Sequence, residues 1–346
     1  MVTWRELKDN PRLKDVFDKK MDAVKAVRDF FWENGFKEAI TPTALVSTDQ
    51  EKYFDPIPVY FHEPNGTEHR LFLATSPEIG LKKLLAAGWT KIFQILQVFR
   101  DYEEFGNTHN PEFTMIEWYR GPGTYWEIMD DVENLYKYVA KKLGVERLKY
   151  KEREIEIFTK WDRISMKELW QKHVGIDLDE YLTAEKMKQL AKDRGYQVKD
   201  DDTYESNFYK IFLNEIESKL GVDRPVFVYS FPALLASLCQ DDPEYEGYVE
   251  RFEFYVNGLE LGNAYGELND GKLQAQHLNE NFEFRKKIGK ILYPVDEDFN
   301  QAVGESMSKA GGIAIGIDRM IMLMTGAKDI NEVIFESAKD QTERYK

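Results

Sequence analysis

An arginine that closes an apolar run, followed by a polar loop and an acidic, aromatic strand, is the stretch of this chain best suited to chemistry. It runs from Phe99-Arg100 to His109-Asn110-Pro111-Glu112-Phe113-Thr114-Met115-Ile116-Glu117-Trp118-Tyr119. Residues 92–99 are apolar and β-branched and read as a buried strand. Residues 101–108 are polar, contain Gly106-Asn107 and read as a hairpin loop. From Phe113 onward, alternation puts Phe113, Met115, Glu117 and Tyr119 on one face. A carboxylate and a phenol beside an aromatic on an inward face are unusual in a plain core strand. An arginine, an aromatic and a carboxylate in that order suit a site that grips ATP and then an amino acid.

A second constellation is acidic. Val256-Asn257-Gly258-Leu259 carries the Asn-Gly signal of a two-residue hairpin. Its register pairs residue 255 with 260 and 253 with 262, so Glu253 and Glu260 lie on one face as diagonal neighbours. Two carboxylates that close repel unless a cation lies between them. Two glutamates on a solvated sheet face are the alternative.

The elements that must position these residues follow from periodicity and punctuation. Phe17, Met21, Val24, Val27 and Phe31 recur at helical spacing, and Asn34-Gly35 stops the run. Residues 36–45 follow as a strand through Pro42, and residues 71–74 form a short strand. Ser76 then caps a helix with Pro77 in its first position, running to Ala87-Gly88. Residues 126–143 form another helix, residues 160–222 hold charged helical segments, and residues 225–230 and 251–265 return to strand. The first helix could pack on its own core or on a second copy.

The 346 residues fit one large domain, or one with an insertion. A 42% hydrophobic and 14% aromatic content is ample for a core. No run of about 18 apolar residues exists, so no transmembrane helix is expected. Met1-Val2-Thr3-Trp4-Arg5-Glu6 lacks the apolar region of a signal peptide. Cys239 is the only cysteine, which excludes an intramolecular disulfide and a cysteine-rich zinc site. These are the features of a cytoplasmic enzyme. A net charge of −15 argues against wrapping a nucleic acid, which favours a basic stripe. The nearest such stretch, Lys141-Lys142 to Arg153, is mixed with glutamates and reads as a solvated helix end and strand.

Phe99-Arg100 with His109-Asn110-Pro111-Glu112-Phe113 resembles the second signature motif of class II aminoacyl-tRNA synthetases of the lysyl type. Gly311-Gly312-Ile313-Ala314-Ile315-Gly316-Ile317-Asp318-Arg319 resembles the third, and Pro42 the proline of the first. The resemblance covers roughly residues 15–135 and 225–340. It is nearest to the branch of stand-alone paralogs that attaches (R)-β-lysine to elongation factor P. It implies an α+β fold, an antiparallel sheet flanked by helices. Residues 1–346 would form a single catalytic domain with a helical insertion at about 160–222 between motifs 2 and 3. It also implies a homodimer built on the first helix and strand. Members of the lysyl group that charge tRNA carry an N-terminal oligonucleotide-binding barrel. This chain enters its first catalytic helix near residue 13, so no anticodon-binding domain is expected and tRNA is not the expected partner.

The resemblance also assigns chemistry. In amino-acid activation a carboxylate attacks the α-phosphorus of ATP and pyrophosphate leaves, which needs cations and Mg²⁺ more than a general base. Arg100 would bridge the α-phosphate and the substrate carboxylate, a role its planar fork suits. Arg319 would grip the γ-phosphate and cover the adenine face opposite Phe113, with His109 near the phosphates. Glu253 and Glu260 match the acidic pair that binds Mg²⁺. The loop after Arg100 is one residue longer than the family's, and Glu103 is the acid expected to serve ATP.

Glu78 would take the α-amino group, Glu117 and Tyr119 the side-chain ammonium, and Asn263, Tyr265 and Glu267 the remaining wall. A buried amine needs opposing carboxylates, and two acids there argue against the asparaginyl and aspartyl relatives. Glu260 and Asn263 stand three apart, so a bulge at Gly262 is needed to put both on one face. Ser76 and Ala314 stand where lysyl synthetases have alanine and glycine, and where the elongation-factor ligases have serine and alanine. Both fit a β-amino acid.

The expected activity is ATP-dependent activation of lysine or (R)-β-lysine and its transfer to a lysine side chain of elongation factor P. A catalytic core that charges another acceptor, a small molecule or tRNA, and a non-catalytic dimeric regulator are the alternatives. Intact Arg100, Glu253, Glu260 and Arg319 argue against the regulator.

Overall fold

Strand parity organises the molecule. The computed structural model describes residues 2–49, 51–236 and 238–344. Eight strands form one sheet in the spatial order Lys37–Glu38, Lys91–Phe99, Glu112–Arg120, Gly311–Gly316, Leu259–Gly266, Tyr248–Val256, Val226–Pro232, Asp162–Ser165. The five central pairings are antiparallel, as expected, and the two outermost are parallel, so the sheet is mostly antiparallel with parallel edges.

One face of the sheet is apolar. Ile116, Trp118, Phe252, Phe254, Ile313 and Ile315 lie on it and pack against the helices Pro11–Glu33, Tyr125–Leu143 and Ile317–Thr325. Each alternates with a neighbour on the other face, and that second face carries the polar residues singled out above. Helix Glu78–Ala86 covers part of that face, packed on Ile92 and Tyr119 through Ile79, Leu81 and Leu85. Helices Gly271–Lys287 and Glu297–Ser306 close around it through Leu278, Phe299 and Val303.

The differences from the sequence reading have local causes. Only Lys37–Glu38 and Ala44–Leu45 of the 36–45 stretch are strand. Pro42 has no N–H to give a ladder and stands in the break between them. In helix Pro11–Glu33, the first expected from the sequence, the buried stripe runs through Val16, Ala23, Val27 and Phe30, so Met21 falls off it and is 66% exposed. The third helix starts at Glu78, and the Ser76 hydroxyl accepts the Glu78 N–H at 3.0 Å. The 160–222 region is not wholly helical: its Asp162–Ser165 strand joins the main sheet beside Val226–Pro232. Its helices then build a second core around Trp170, Phe208 and Phe212.

The hairpin at Asn257-Gly258 forms, with Tyr255 opposite Glu260. Beyond that pair the register shifts: Gly262 faces Phe254 and Glu253 faces Asn263, not residue 262. Leu261 is the extra residue of a β-bulge. Gly262 is required beside it, because a Cβ there would stand 2.7 Å from the Phe254 ring and 2.9 Å from the Ala314 carbonyl oxygen.

Candidate active site

The registers lay the site residues out in rows across the sheet. One row reads Arg251, Tyr265, Gly312, Tyr119, Ile92; the next reads Glu253, Asn263, Ala314, Glu117, Gln94. The central strand contributes almost no side chain: Gly312, the single methyl of Ala314, and Gly316, where an added Cβ would meet open space. Gly312 has a specific reason to lack a side chain. A Cβ there would lie 2.3 Å from Tyr119 Cε1 and 2.6 Å from Glu267 Oε1. The small residues make a floor, and taller residues on the neighbouring strands make walls.

Over this floor lies a cavity of about 340 Å³. It is lined by Ser76, Glu78, Arg100, Glu103, His109, Phe113, Glu117, Tyr119, Glu260, Asn263, Tyr265, Glu267, Ala314 and Arg319, so fourteen of the fifteen residues proposed from sequence converge on it. Glu253 is the exception. It lies beside the cavity with one carboxylate oxygen held by Arg251 Nη2 at 2.6 Å and the other by the Tyr255 hydroxyl.

One end of the cavity is cationic. Arg319 ties three segments together: Nε donates to the Thr108 carbonyl at 3.0 Å, Nη1 to the Glu260 carbonyl at 2.8 Å, and Nη2 to His109 Nε2 at 2.9 Å. Burial and the neighbouring Arg319 charge push the His109 imidazole below its ordinary pKa, consistent with a neutral ring that accepts from Arg319. The Arg100 guanidinium stacks 3.8 Å over the Phe54 ring and 5.2 Å from the Phe113 ring. Its buried Nε has no hydrogen-bond partner among the described residues. A desolvated, unsatisfied guanidinium between aromatic faces is a receptor for an anion.

The other end is acidic. The Tyr119 hydroxyl donates to Glu117 at 2.6 Å. Lys82, on the helix after Glu78, is buried with its Nζ 2.5 Å from Glu78 and 2.6 Å from Glu267. Burial alone would lower the Lys82 pKa, but Glu267 and Glu78 outweigh it and hold the ammonium above its ordinary value. Burial and the Glu78 charge raise the Glu117 carboxyl well above the usual range. Burial raises Glu267 to about 7, against the pull of Lys82. These carboxyls outnumber the positive charge the protein places beside them, which is the electrostatic signature of a receptor for ammonium groups.

Glu260 stands at the cationic end, its carbonyl accepting from Arg319 Nη1. Burial and the adjacent Glu253 raise it to about 7. Among the described residues no group of three or more metal-ligating side chains is assembled. For Mg²⁺, Glu260 fits as a ligand because it is half-buried, lines the cavity and is short of positive charge. Glu253 fits only as a neighbouring negative charge while Arg251 and Tyr255 hold both its oxygens.

Sequence spacing does not single out Asp49, Glu51, Phe54 or Lys82. The first three arrive on one loop, and Lys82 is visible only as an acid–base pair four residues from Glu78, a spacing common on exposed helices.

A family model described as tRNA synthetases class II (D, K and N) matches residues 3–337. The chain is 34% identical over 319 residues to the elongation factor P--(R)-beta-lysine ligase of Haemophilus influenzae (strain PittGG), covering 91% of this chain and 93% of that one. It is 32% identical over 338 residues to the protein of that name from Enterobacter sp. (strain 638), covering 96% and 97%. It is also 32% identical over 326 residues to the lysine--tRNA ligase of Bacillus subtilis (strain 168), covering 94% of this chain and 64% of that one. The chain belongs to the class II tRNA synthetases of the D, K and N group and is an ATP-dependent, AMP-forming amino-acid ligase.

Proposed function

We propose that this enzyme activates lysine or (R)-β-lysine with ATP and transfers it to a lysine side chain of elongation factor P. The observation that carries the reading is the polarity of the cavity, with Arg100 and its unpartnered Nε at one end and the largely buried cluster of Glu78, Glu117, Tyr119 and Glu267 at the other. A substrate with one carboxylate and two ammonium groups is complementary to that polarity.

In this reading the substrate lies on the Gly312-Ala314-Gly316 floor. Arg100 holds its carboxylate against the α-phosphate of ATP, and Phe113 supports the adenine. The carboxylate oxygen attacks the α-phosphorus, the bond to the β-phosphate oxygen breaks and pyrophosphate leaves. Arg100 and Arg319 neutralise the charge spread over the phosphates without having to reorganise, since both are already fixed. Mg²⁺, when bound near Glu260, would supply further charge neutralisation on the phosphates. The neutral amine of the acceptor lysine then attacks the adenylate carbonyl, forming an amide and releasing AMP.

Relatives named elongation factor P--(R)-beta-lysine ligase, 34% and 32% identical to this chain, support elongation factor P as the acceptor. The chain is taken as one catalytic domain with the 160–222 region as an inserted lobe, working as a homodimer. Exposure of Ile40 at 94%, beside Pro42, with Met21 and Trp32 of the first helix, supports the dimer. No helix among the described residues is long and apolar enough to cross a membrane.

The test is ATP–pyrophosphate exchange with α-lysine and (R)-β-lysine in turn, followed by mass spectrometry of elongation factor P incubated with enzyme, ATP and the better substrate. Exchange with one isomer and a matching mass increase on the factor are expected. Exchange without transfer would redirect the reading to another acceptor, and no exchange with either isomer would overturn it.

A further inference from the structure

The cavity holds a carboxylate that the reading above leaves unused. Asp49 lines it together with Ser76, Glu78 and Arg100, yet is only 8% exposed. Its Oδ2 accepts from the Thr75 hydroxyl at 2.8 Å, while its Oδ1 has no hydrogen-bond partner among the described residues. A buried carboxylate at the wall of a cavity, with only the Thr75 and Ser76 hydroxyls beside it as donors among the described residues, is left short of partners unless a ligand supplies another.

Its neighbour Glu78 is already engaged. Glu78 Oε1 holds the buried Lys82 ammonium at 2.5 Å, and the same ammonium holds Glu267. A substrate ammonium received by Glu78 alone would share one carboxylate with an internal cation of like charge. A second carboxylate beside Glu78 removes that conflict.

The loop that presents Asp49 is held firmly. The buried Arg285 guanidinium donates to the Glu51 carbonyl at 2.7 Å and the Phe54 carbonyl at 2.6 Å, and is paired with Asp55. The Tyr293 hydroxyl donates to the Asp49 carbonyl at 2.5 Å. The same loop places Phe54 on Arg100, so Asp49 and the carboxylate receptor are positioned by one element.

Resting on the reading of the cavity as a receptor for a substrate with two ammonium groups, we propose that Asp49 is a substrate-binding residue. It receives the amino group nearer the carboxyl end, with Ser76 and Glu78 beside it. Glu117, Tyr119 and Glu267 receive the far ammonium. Burial, with the Glu78 charge added, raises Asp49 to about 7, the behaviour of a carboxyl that ionises fully when a cation arrives.

The test compares the better lysine isomer with 6-aminohexanoate, which keeps the carboxylate and far ammonium but lacks the near amino group. Binding of each is measured by calorimetry on the wild-type enzyme and on Asp49→Asn and Asp49→Ala, with the KM for ATP as a control. Both variants are expected to lose roughly 10-fold to 100-fold in lysine affinity, the loss on removing one hydrogen-bonded partner of a charge. The affinity for 6-aminohexanoate, weak in every form, should change less than about 3-fold, and the KM for ATP should hold. Unchanged lysine affinity overturns the proposal. So does an equal loss for both ligands, or a loss of ATP binding, either of which assigns Asp49 to holding the loop. If wild-type enzyme binds neither lysine isomer, the proposed function has failed instead, a result separable from failure of the Asp49 assignment.

Discussion

Lys82 Nζ lies 2.6 Å from Glu267 Oε2, and both side chains are almost completely buried. The same ammonium reaches Glu78, so two walls of the proposed amino-acid pocket, a helix and the end of a central strand, are joined by one internal cation. Removing that cation while both acids remain leaves uncompensated buried charge, a loss of ~3–5 kcal/mol for broken pairs of this kind. Lys82→Met should therefore destabilise the protein by that amount in urea unfolding. Adding Glu267→Gln should restore part of the loss, because the two changes are coupled through one contact. Additive losses would show that the pair does not form.

In the proposed function Arg319 and Glu260 lie at the ATP end. Arg319→Ala and Glu260→Ala should each lower ATP–pyrophosphate exchange at least ~100-fold, the cost of one preorganised charge-stabilising group. Arg319→Ala also removes three hydrogen bonds that hold the Thr108-His109 segment and the hairpin strand. Its KM for ATP should rise along with the fall in rate. Near-normal exchange by either variant would place the nucleotide elsewhere.

The raised carboxyls give a pH dependence with a definite sign. Asp49 rises from 3.8 to about 7 and Glu267 from 4.5 to about 7. A carboxyl with a folded pKa above its unfolded value binds more protons folded than unfolded. The empty enzyme should therefore lose stability as pH rises from about 4 through about 7. A ligand ammonium favours the ionised forms and opposes that loss. Thermal stabilisation by a saturating lysine isomer should thus grow between about pH 5.5 and about pH 8, with affinity rising up to ~10-fold per pH unit for each proton displaced. A ligand shift flat across this range would mean that these groups are already ionised in the empty site.

Ala314 pairs with Asn263 on one side and Glu117 on the other, in the middle of the substrate floor. Its methyl is the only side chain between Gly312 and Gly316 on that face. Ala314→Gly should raise α-lysine activation by roughly 10-fold, about the worth of one methyl-sized clash, and (R)-β-lysine activation by less. Exchange rates for both isomers in both proteins give the ratio, and an unchanged ratio would reduce Ala314 to packing.

Much of this site is legible in the chain because strands keep parity. The alternation from Phe113 to Tyr119, the Asn257-Gly258 turn and the need for a bulge near Gly262 all follow from a period of two with one interruption. The exact partner of Glu253 is not legible, because the position of the extra residue within Leu261-Gly262 depends on how closely Phe254 and the neighbouring strand approach. Lys82 and Asp49 escape for a different reason. Their spacing and residue types are those of exposed groups, and only the closure of helix Glu78–Ala86 and the Arg285-held loop takes them out of water. Burial of polar groups by distant segments has no local pattern to betray it.

The bulge at Leu261 makes strand length matter more than chemistry at that point. Leu261 itself is apolar and buried, so exchanging it for a similar side chain alters only packing. Deleting it would reset the phase of everything on one side of it. Either Glu260 would turn from the nucleotide end into the apolar layer, or Asn263 and Tyr265 would turn away from the amino-acid end. The proposed nucleotide and amino-acid halves of the site thus sit on one strand but on opposite sides of a phase slip. A single codon's insertion or loss, harmless in a loop, would here uncouple the two substrates.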